Sequence, residues 1–387
     1  MQSLYSHLEC SQCGQIYNKD EVHNFCHNCV QPLQARYHLH LHPGRDKITE
    51  RSNDLWRYAE LLPVEDPSYR LTLGEGVTPL LNLKKTAHKY SVKDLRLKDE
   101  GNNPTGSFKA RGIGMAVSKA MESGIREFCI PTAGNAGSAL AAYCAAAGAH
   151  AHIYMPVATP DVFRLDCEIM GAEVTTVDGS IRDAGMAMAR DNMDGSWWDI
   201  TTLKEPFRLE GKKTMGYEIA GQMKWTLPDV IIYPTGGGTG LIGIWKAFQE
   251  MMEMGWIDHI PTKMVAVQTI GCNPIVQAFR NHRGASEIFE NPAETIANGL
   301  RVPKAFGDKL ILKTIYDSGG CALDVTEEEM MDSMGEFARN EGIFLSPEGG
   351  AVFAAFKKLC AEAFIKPEAT VVMINTGSPY KYTENLI

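Results

Sequence analysis

The decapeptide Asn103-Pro104-Thr105-Gly106-Ser107-Phe108-Lys109-Ala110-Arg111-Gly112 sets a lysine one step into the start of a helix. A strand-like run, Leu95–Lys98, precedes it and a helical one, Ile113–Met121, follows. A Pro-Thr-Gly turn that feeds a serine holds the backbone still and leaves N–H donors over. A lysine at the positive end of a helix and away from water favours its neutral amine, because desolvation and like charge both oppose the ammonium. Such an amine attacks a carbonyl compound to form a Schiff base. The competing reading is an ordinary surface lysine in a first helical turn.

A second stretch suits an anion. Pro234-Thr235-Gly236-Gly237-Gly238-Thr239-Gly240, with Gly243 beyond it, lies between a strand (Val230–Tyr233) and a helix (Trp245–Met252). Glycines at a strand-to-helix turn expose backbone N–H groups that surround a phosphate at the positive helix end. A Walker loop is excluded, since no Gly-Lys-Ser/Thr follows. Gly238-x-Gly240-x-x-Gly243 matches a dinucleotide fingerprint, but the next strand ends in Gln268 where an acidic ribose ligand belongs, and a dinucleotide leaves Lys109 unexplained. The phosphate of pyridoxal phosphate accounts for both stretches together.

A third set of residues suits a metal. Cys10-x-x-Cys13 and Cys26-x-x-Cys29 are two thiolate pairs twelve residues apart, enough to close a tetrahedral structural zinc site. His23 and His27 lie near enough to substitute as ligands, and a set of free thiols is the alternative. His38, His40 and His42 alternate, which places them on one face of a strand, more readily a solvated face than a metal site.

The elements that position these groups are legible as well. From Arg126 to Thr202 strands and helices alternate: Phe128–Ile130, then the Thr132–Gly137 loop and a helix through Ala147; Ala151–Met155, then Val162–Met170; Val174–Val177, then Ile181–Met193. That order means parallel βαβ units. The sheet of a second domain resumes with Val230–Tyr233, Met264–Gln268 and Thr370–Ile374, and Thr326 to Glu329 has capping-box spacing before a helix through Phe337. A chain of 387 residues accommodates two domains and a small module. Its net charge of −9 argues against nucleic acid or an anionic membrane as partner. No secretory signal is recognisable at the start, and six of the ten cysteines are scattered singly, which suits a reducing cytoplasm.

The lysine segment, the glycine loop and Gly74-Glu75-Gly76-Val77-Thr78-Pro79-Leu80 together resemble pyridoxal-phosphate enzymes of the tryptophan-synthase-β fold type, most closely the threonine synthases. The resemblance covers almost the whole chain after residue 50. It implies an α/β, two-domain fold type II enzyme with parallel-rich sheets, to which a small zinc-ribbon-like module carrying the four N-terminal cysteines is added. The expected division is 1–36 for the module, 40–112 with 214–387 for the catalytic domain, and 113–213 for the small α/β domain. By resemblance Lys109 holds the cofactor and moves protons, Asn135 meets the phenolic oxygen of its ring, and Gly236, Gly237, Gly238, Thr239 and Gly240 hold its phosphate. Thr376 (with Ser378 as the fallback) meets the pyridine nitrogen; a hydroxyl there, unlike an aspartate, need not keep that nitrogen protonated. The resemblance further assigns Arg208 to the substrate phosphate, Ser107 and Thr132 to its anionic groups, and Glu348 to the wall beside the ring or a proton relay. The implied substrate is O-phospho-L-homoserine, a phosphorylated amino acid, turned with water into L-threonine and phosphate; a homodimer is also implied.

Two positions depart from the family pattern. Ala110 stands where aspartate is usual, and Pro379 where glycine is more usual. They keep open an ammonia-lyase or a β-replacement enzyme acting on O-phosphoserine. A nonenzymatic zinc-knuckle ligand sensor is the third reading, and it predicts no reducible bond at Lys109.

Overall fold

In the computed structural model, which describes residues 1–385, the chain forms two compact units. The first comprises Met1–Val77 and Asn103–Thr214, the second Thr78–Asn102 and Met215–Ile387.

The second unit is built on a six-stranded sheet in the order Cys321–Val325, Lys263–Thr269, Val230–Pro234, Thr370–Asn375, Asp94–Asp99 and Leu80–Asn82. All neighbours are parallel except the last pair. Parallel strands are covered on both faces, so they read as continuous apolar runs; all five residues of Val230–Pro234 are buried. Their side chains join helix Pro347–Ala361 in one core that includes Ile232, Val265, Val267, Val371, Phe353 and Phe356. The capping box forms as expected: the Thr326 hydroxyl accepts from Glu329 N–H, the Glu329 carboxylate accepts from Thr326 N–H, and helix Glu327–Glu341 follows.

The first unit holds two sheets. One is four-stranded and wholly parallel, in the order Glu173–Val177, His150–Pro156, Glu127–Pro131 and Trp198–Asp199. Helices Asn135–Ala147, Asp161–Ile169 and Ile181–Asp191 supply its crossovers. These are the alternating elements of the sequence. The other is a three-stranded antiparallel sheet, Ile16–Tyr17, Tyr5–Cys10 and Leu33–Tyr37, which carries the cysteine pairs.

Contacts draw the boundary elsewhere than the expected 1–36, 40–112 with 214–387, and 113–213. Residues 1–77 and 103–112 group with the small α/β unit. Leu4 N–H donates to Glu60 O at 2.8 Å, and the amides of Glu65 and Asp66 donate to the Glu122 carboxylate, which stands on the lysine's own helix. One correction concerns His38–His42. The strand ends at Tyr37, and Leu39–Leu41 is a 3-10 turn with Leu39 buried, so the three imidazoles do not share a strand face. Pro43 disfavours helix at His42, which takes φ −58° and ψ 149°. No helix among the described residues is long and apolar enough to cross a membrane.

Candidate active site

The lysine segment sits in the first unit. Pro104–Gly106 is a 3-10 turn in which Thr105 takes φ 57° and Gly106 φ 67°. A non-glycine residue in the left-handed region costs about 1–2 kcal/mol, so this bracket is held by its surroundings. The chain then extends at buried Ser107 and enters helix Lys109–Glu122. Ser107 Oγ accepts the Lys109 N–H at 3.3 Å, which satisfies one first-turn donor. Lys109 Nζ stands 4.8 Å from the centre of the Phe108 ring. Lys212 Nζ, fully buried, stands 3.4 Å from the same centre.

Lys212 reaches this place because two helices touch. A Cβ on Gly211 would lie 1.9 Å from the Arg111 carbonyl oxygen, so only glycine lets helix Phe207–Gln222 approach that of Lys109 so closely. Arg111 Nη1 donates to Thr214 Oγ1 at 3.0 Å across the contact. The sequence motifs do not single out Lys212; the Gly211-Lys212-Lys213 run was the available signal. Asn135 opens helix Asn135–Ala147, which packs along the Lys109 helix and on the Pro104–Gly106 turn. The Thr132 hydroxyl accepts Gly134 N–H at 3.2 Å and shapes the loop before Asn135.

Arg208 belongs to the same unit. Its backbone N–H, with that of Phe207, is capped by the Glu205 carboxylate at 2.9 and 2.8 Å. The residue is 1% exposed. Nη1 donates to Ile200 O at 2.6 Å, while Nε and Nη2 meet no acceptor among the described residues. Burial lowers the Arg208 pKa from its ordinary value, against the opposing pull of Glu205 and Asp199. Burial also pushes the Glu205 carboxyl up to about 7, despite Arg208 and the two amides. Each unmatched buried donor costs about 1–3 kcal/mol, a standing penalty that an anion would remove.

The glycine turn and Thr376 belong to the second unit. Gly238 takes φ 74° and caps helix Thr239–Glu253 with no side-chain hydrogen bond, so the first-turn amides keep their donors for a ligand. There is no room for side chains: a Cβ on Gly236 would lie 2.1 Å from Gly299 O, and one on Gly238 2.3 Å from Ile311 Cγ1. Gln268, set where a dinucleotide site needs an acid, is buried and spent within the protein. Its amide donates to Thr235 O at 3.1 Å and accepts from Ile275 and Val276 N–H. This bonding removes the dinucleotide reading.

Asn375, the residue before Thr376 and absent from the expected site, positions it. Its Oδ1 accepts from Ser346 N–H and Oγ at 3.1 and 3.0 Å, and its Nδ2 donates to Asp99 Oδ1 at 2.8 Å. Ser346 caps helix Pro347–Ala361, which carries Glu348 in its first turn. Glu348 Oε1 accepts Gly299 N–H at 3.0 Å, and Gly299 O abuts Gly236. Glu348 and the glycine turn are therefore neighbours. Buried Ala110 explains one departure from pattern: a carboxylate there would need a partner that solvent cannot supply. Pro379 sits at the start of the 3-10 turn Pro379–Lys381, where a missing N–H is harmless.

Cys10, Cys13, Cys26 and Cys29 bring four sulfurs within 4.8 Å of one another. Sγ separations are 3.4 Å for Cys10–Cys29, 3.7 Å for Cys13–Cys26 and 3.8 Å for Cys13–Cys29. A zinc–thiolate bond of about 2.3 Å makes the sulfur–sulfur edge of a tetrahedral site about 3.8 Å. Tyr17 Oη donates to Cys26 Sγ at 3.2 Å and Gln12 N–H to Cys10 Sγ at 3.4 Å, as outer hydrogen bonds to thiolate ligands do. His23 and His27 stay outside the cluster.

The family model described as pyridoxal-phosphate dependent enzyme matches residues 71–377. The threonine synthase of Methanocaldococcus jannaschii is 36% identical over 376 residues, covering 96% of this chain and 92% of that protein. That of Methanosarcina acetivorans is 36% identical over 383 residues, covering 98% and 93%. Among solved structures, threonine deaminase isoform 2 from Solanum lycopersicum superposes with a TM-score of 0.69 at 20% identity, covering 86% of this chain and 92% of that one. At that identity the likeness concerns the fold alone.

Proposed function

The chain belongs to the threonine synthases of the pyridoxal-phosphate-dependent enzyme family, and from that premise we propose how its residues turn O-phospho-L-homoserine and water into L-threonine and phosphate. The glycine turn at the uncapped start of helix Thr239–Glu253 has the donors and the bare backbone that a phosphate requires, so the residues fit pyridoxal phosphate. When bound, that cofactor supplies the electron sink that makes the substrate's Cα proton removable. Lys109 holds it through the ε-amine, Gly236–Gly240 take its phosphate, Asn135 its phenolic oxygen and Thr376 its ring nitrogen.

Lys109 would be the base that accepts the proton from the substrate's Cα. It would next take a proton from Cβ, give one to Cγ as phosphate leaves, and return the other to Cα once water has added at Cβ, the remaining proton of water going with phosphate. Proton transfer by a positioned group contributes about a hundred- to ten-thousand-fold. Ser107 and Thr132 orient the anionic groups of the substrate. Glu348, held by Gly299, forms the wall beside the ring.

Arg208 takes the substrate phosphate. The observation that carries the phosphorylated substrate is its buried guanidinium, with one donor spent on Ile200 O and two unmatched. Arginine's planar fork suits a phosphate ester, and an anion that pairs with it must displace what covers it. The product assay decides. Purified holoenzyme given O-phospho-L-homoserine should release phosphate and threonine in equal amounts; ammonia and a keto acid instead would overturn the assignment.

The four N-terminal cysteines hold one structural Zn²⁺, supported by sulfur spacings of tetrahedral size. The six cysteines outside that cluster, none in a disulfide, fit a reducing cytoplasm. A homodimer, supported by the family resemblance, is checked by sedimentation.

A further inference from the structure

We propose that the cysteine knuckle, filled by Zn²⁺, braces the segment that aims Arg208, so that metal occupancy sets the affinity for the substrate's phosphate. This rests on the reading of Arg208 and of the zinc site given above, and adds a coupling between them.

The link is a short chain of contacts inside the first unit. Asn24 lies in the connection between the two thiolate pairs, two residues before Cys26. Its Nδ2 donates to Asp199 O at 3.3 Å. The next carbonyl along, Ile200 O, accepts Arg208 Nη1 at 2.6 Å. The Asp199 carboxylate accepts Thr201 N–H at 2.9 Å and faces Lys204 Nζ at 3.5 Å, which shapes the turn into Glu205 and the Arg208 helix.

Two further contacts reach that helix from the same sheet. Tyr37 Oη donates to Glu210 Oε2 at 2.8 Å, and Glu210 pairs with Lys213 at 2.7 Å; all three are buried or half-buried. The Tyr5 ring meets Phe207, the residue before Arg208, edge to face at 6.2 Å. The module therefore touches the arginine's segment at Asp199 and Phe207 before Arg208 and at Glu210 after it.

The metal is needed because the module has little else. Ile16–Tyr17 is a two-residue strand, and the buried aliphatic side chains on the three-stranded sheet that carries the thiolate pairs are few, Leu8, Leu33 and Ala35. Segments this small are ordinarily ordered by a disulfide or a metal, and all four cysteines are free thiols. Losing the metal would release the 14–25 connection and with it the Asn24 hold on Asp199.

The test uses full-length holoenzyme and inorganic phosphate as the probe, with phosphate inhibition, substrate KM and kcat, cofactor absorbance and metal content all measured. About one zinc per chain is expected. Asn24→Ala should keep the zinc, the cofactor absorbance and kcat, while phosphate inhibition weakens and KM rises by about two- to tenfold, the loss of one hydrogen bond. Stripping the zinc should weaken phosphate at least as much, with recovery when Zn²⁺ is returned. Tyr37→Phe gives a second, metal-independent cut in the same direction.

Absence of stoichiometric metal, or unchanged phosphate inhibition after stripping and in Asn24→Ala, overturns the brace. If Arg208→Met nevertheless abolishes phosphate inhibition, only the brace has failed. If Arg208→Met leaves it intact, the arginine assignment falls and the brace falls with it.

Discussion

Replacing Arg208 by methionine separates a binding arginine from a structural one, because the two roles predict opposite balances of affinity and stability. The guanidinium is buried, gives one bond to Ile200 O and leaves Nε and Nη2 unmatched. A hydrogen bond from a charged donor is worth about 1.5–3 kcal/mol, and each unmatched buried donor costs about 1–3 kcal/mol. Removing the group thus loses one bond and relieves two penalties, so folding stability should stay level or rise. The Glu205 carboxyl, already raised to about 7 by burial, takes up a proton when the neighbouring guanidinium is gone, so no bare charge is left behind in the core. Phosphate binding should suffer instead. Two charge-assisted bonds of about 1.5–3 kcal/mol each amount to a loss of about a hundred- to ten-thousand-fold in affinity. The assay pairs urea unfolding midpoints with inhibition by inorganic phosphate and KM for O-phospho-L-homoserine. A variant that is destabilised by several kcal/mol while phosphate binds as before would refute the reasoning.

Lys109→Ala should abolish borohydride-stable attachment of pyridoxal phosphate to the peptide that contains residue 109 and lower turnover by at least about a hundredfold; normal turnover would exclude the lysine's role. Gly238→Ala should lose about 2–5 kcal/mol of stability in urea, from a left-handed backbone at φ 74° and a Cβ 2.3 Å from Ile311 Cγ1; a loss under about 1 kcal/mol would show that the turn relaxes freely. Glu205 has its pKa raised by burial to about 7, so the stability it contributes is fully present below its unfolded value of 4.5 and is lost as pH rises through 7. That loss is on the order of 3 kcal/mol, and Glu205→Gln should flatten the dependence of unfolding free energy on pH between those limits. An equally steep dependence in the variant would place the titration elsewhere.

How much was legible in advance varies with the range of the interactions involved. The Pro-Thr-Gly bracket, the glycine turn, the capping box at Thr326 and the βαβ alternation are local, written in residues a few positions apart, and each appears where its pattern placed it. The His38–His42 alternation misled because period two alone cannot distinguish a strand from a turn that buries Leu39 and meets Pro43. The departures at Ala110 and Pro379 gained a physical account only from their surroundings, a sealed helix start and the first position of a 3-10 turn.

The amino-acid order alone pointed to candidates for the chemistry: a lysine on a rigid bracket, a glycine turn suited to phosphate, two pairs of cysteines and, by resemblance, Arg208. It could not say that Arg208 is sealed with two donors unmatched, that Lys212 shares the Phe108 ring with Lys109, or that Asn375 locks Thr376 beside the helix of Glu348. Nor could it show that a residue between two cysteines holds the carbonyl next to the one that anchors the arginine. Turn and helix preferences act between chain neighbours, whereas desolvation and hydrogen-bond matching depend on which distant segments the packed core brings together.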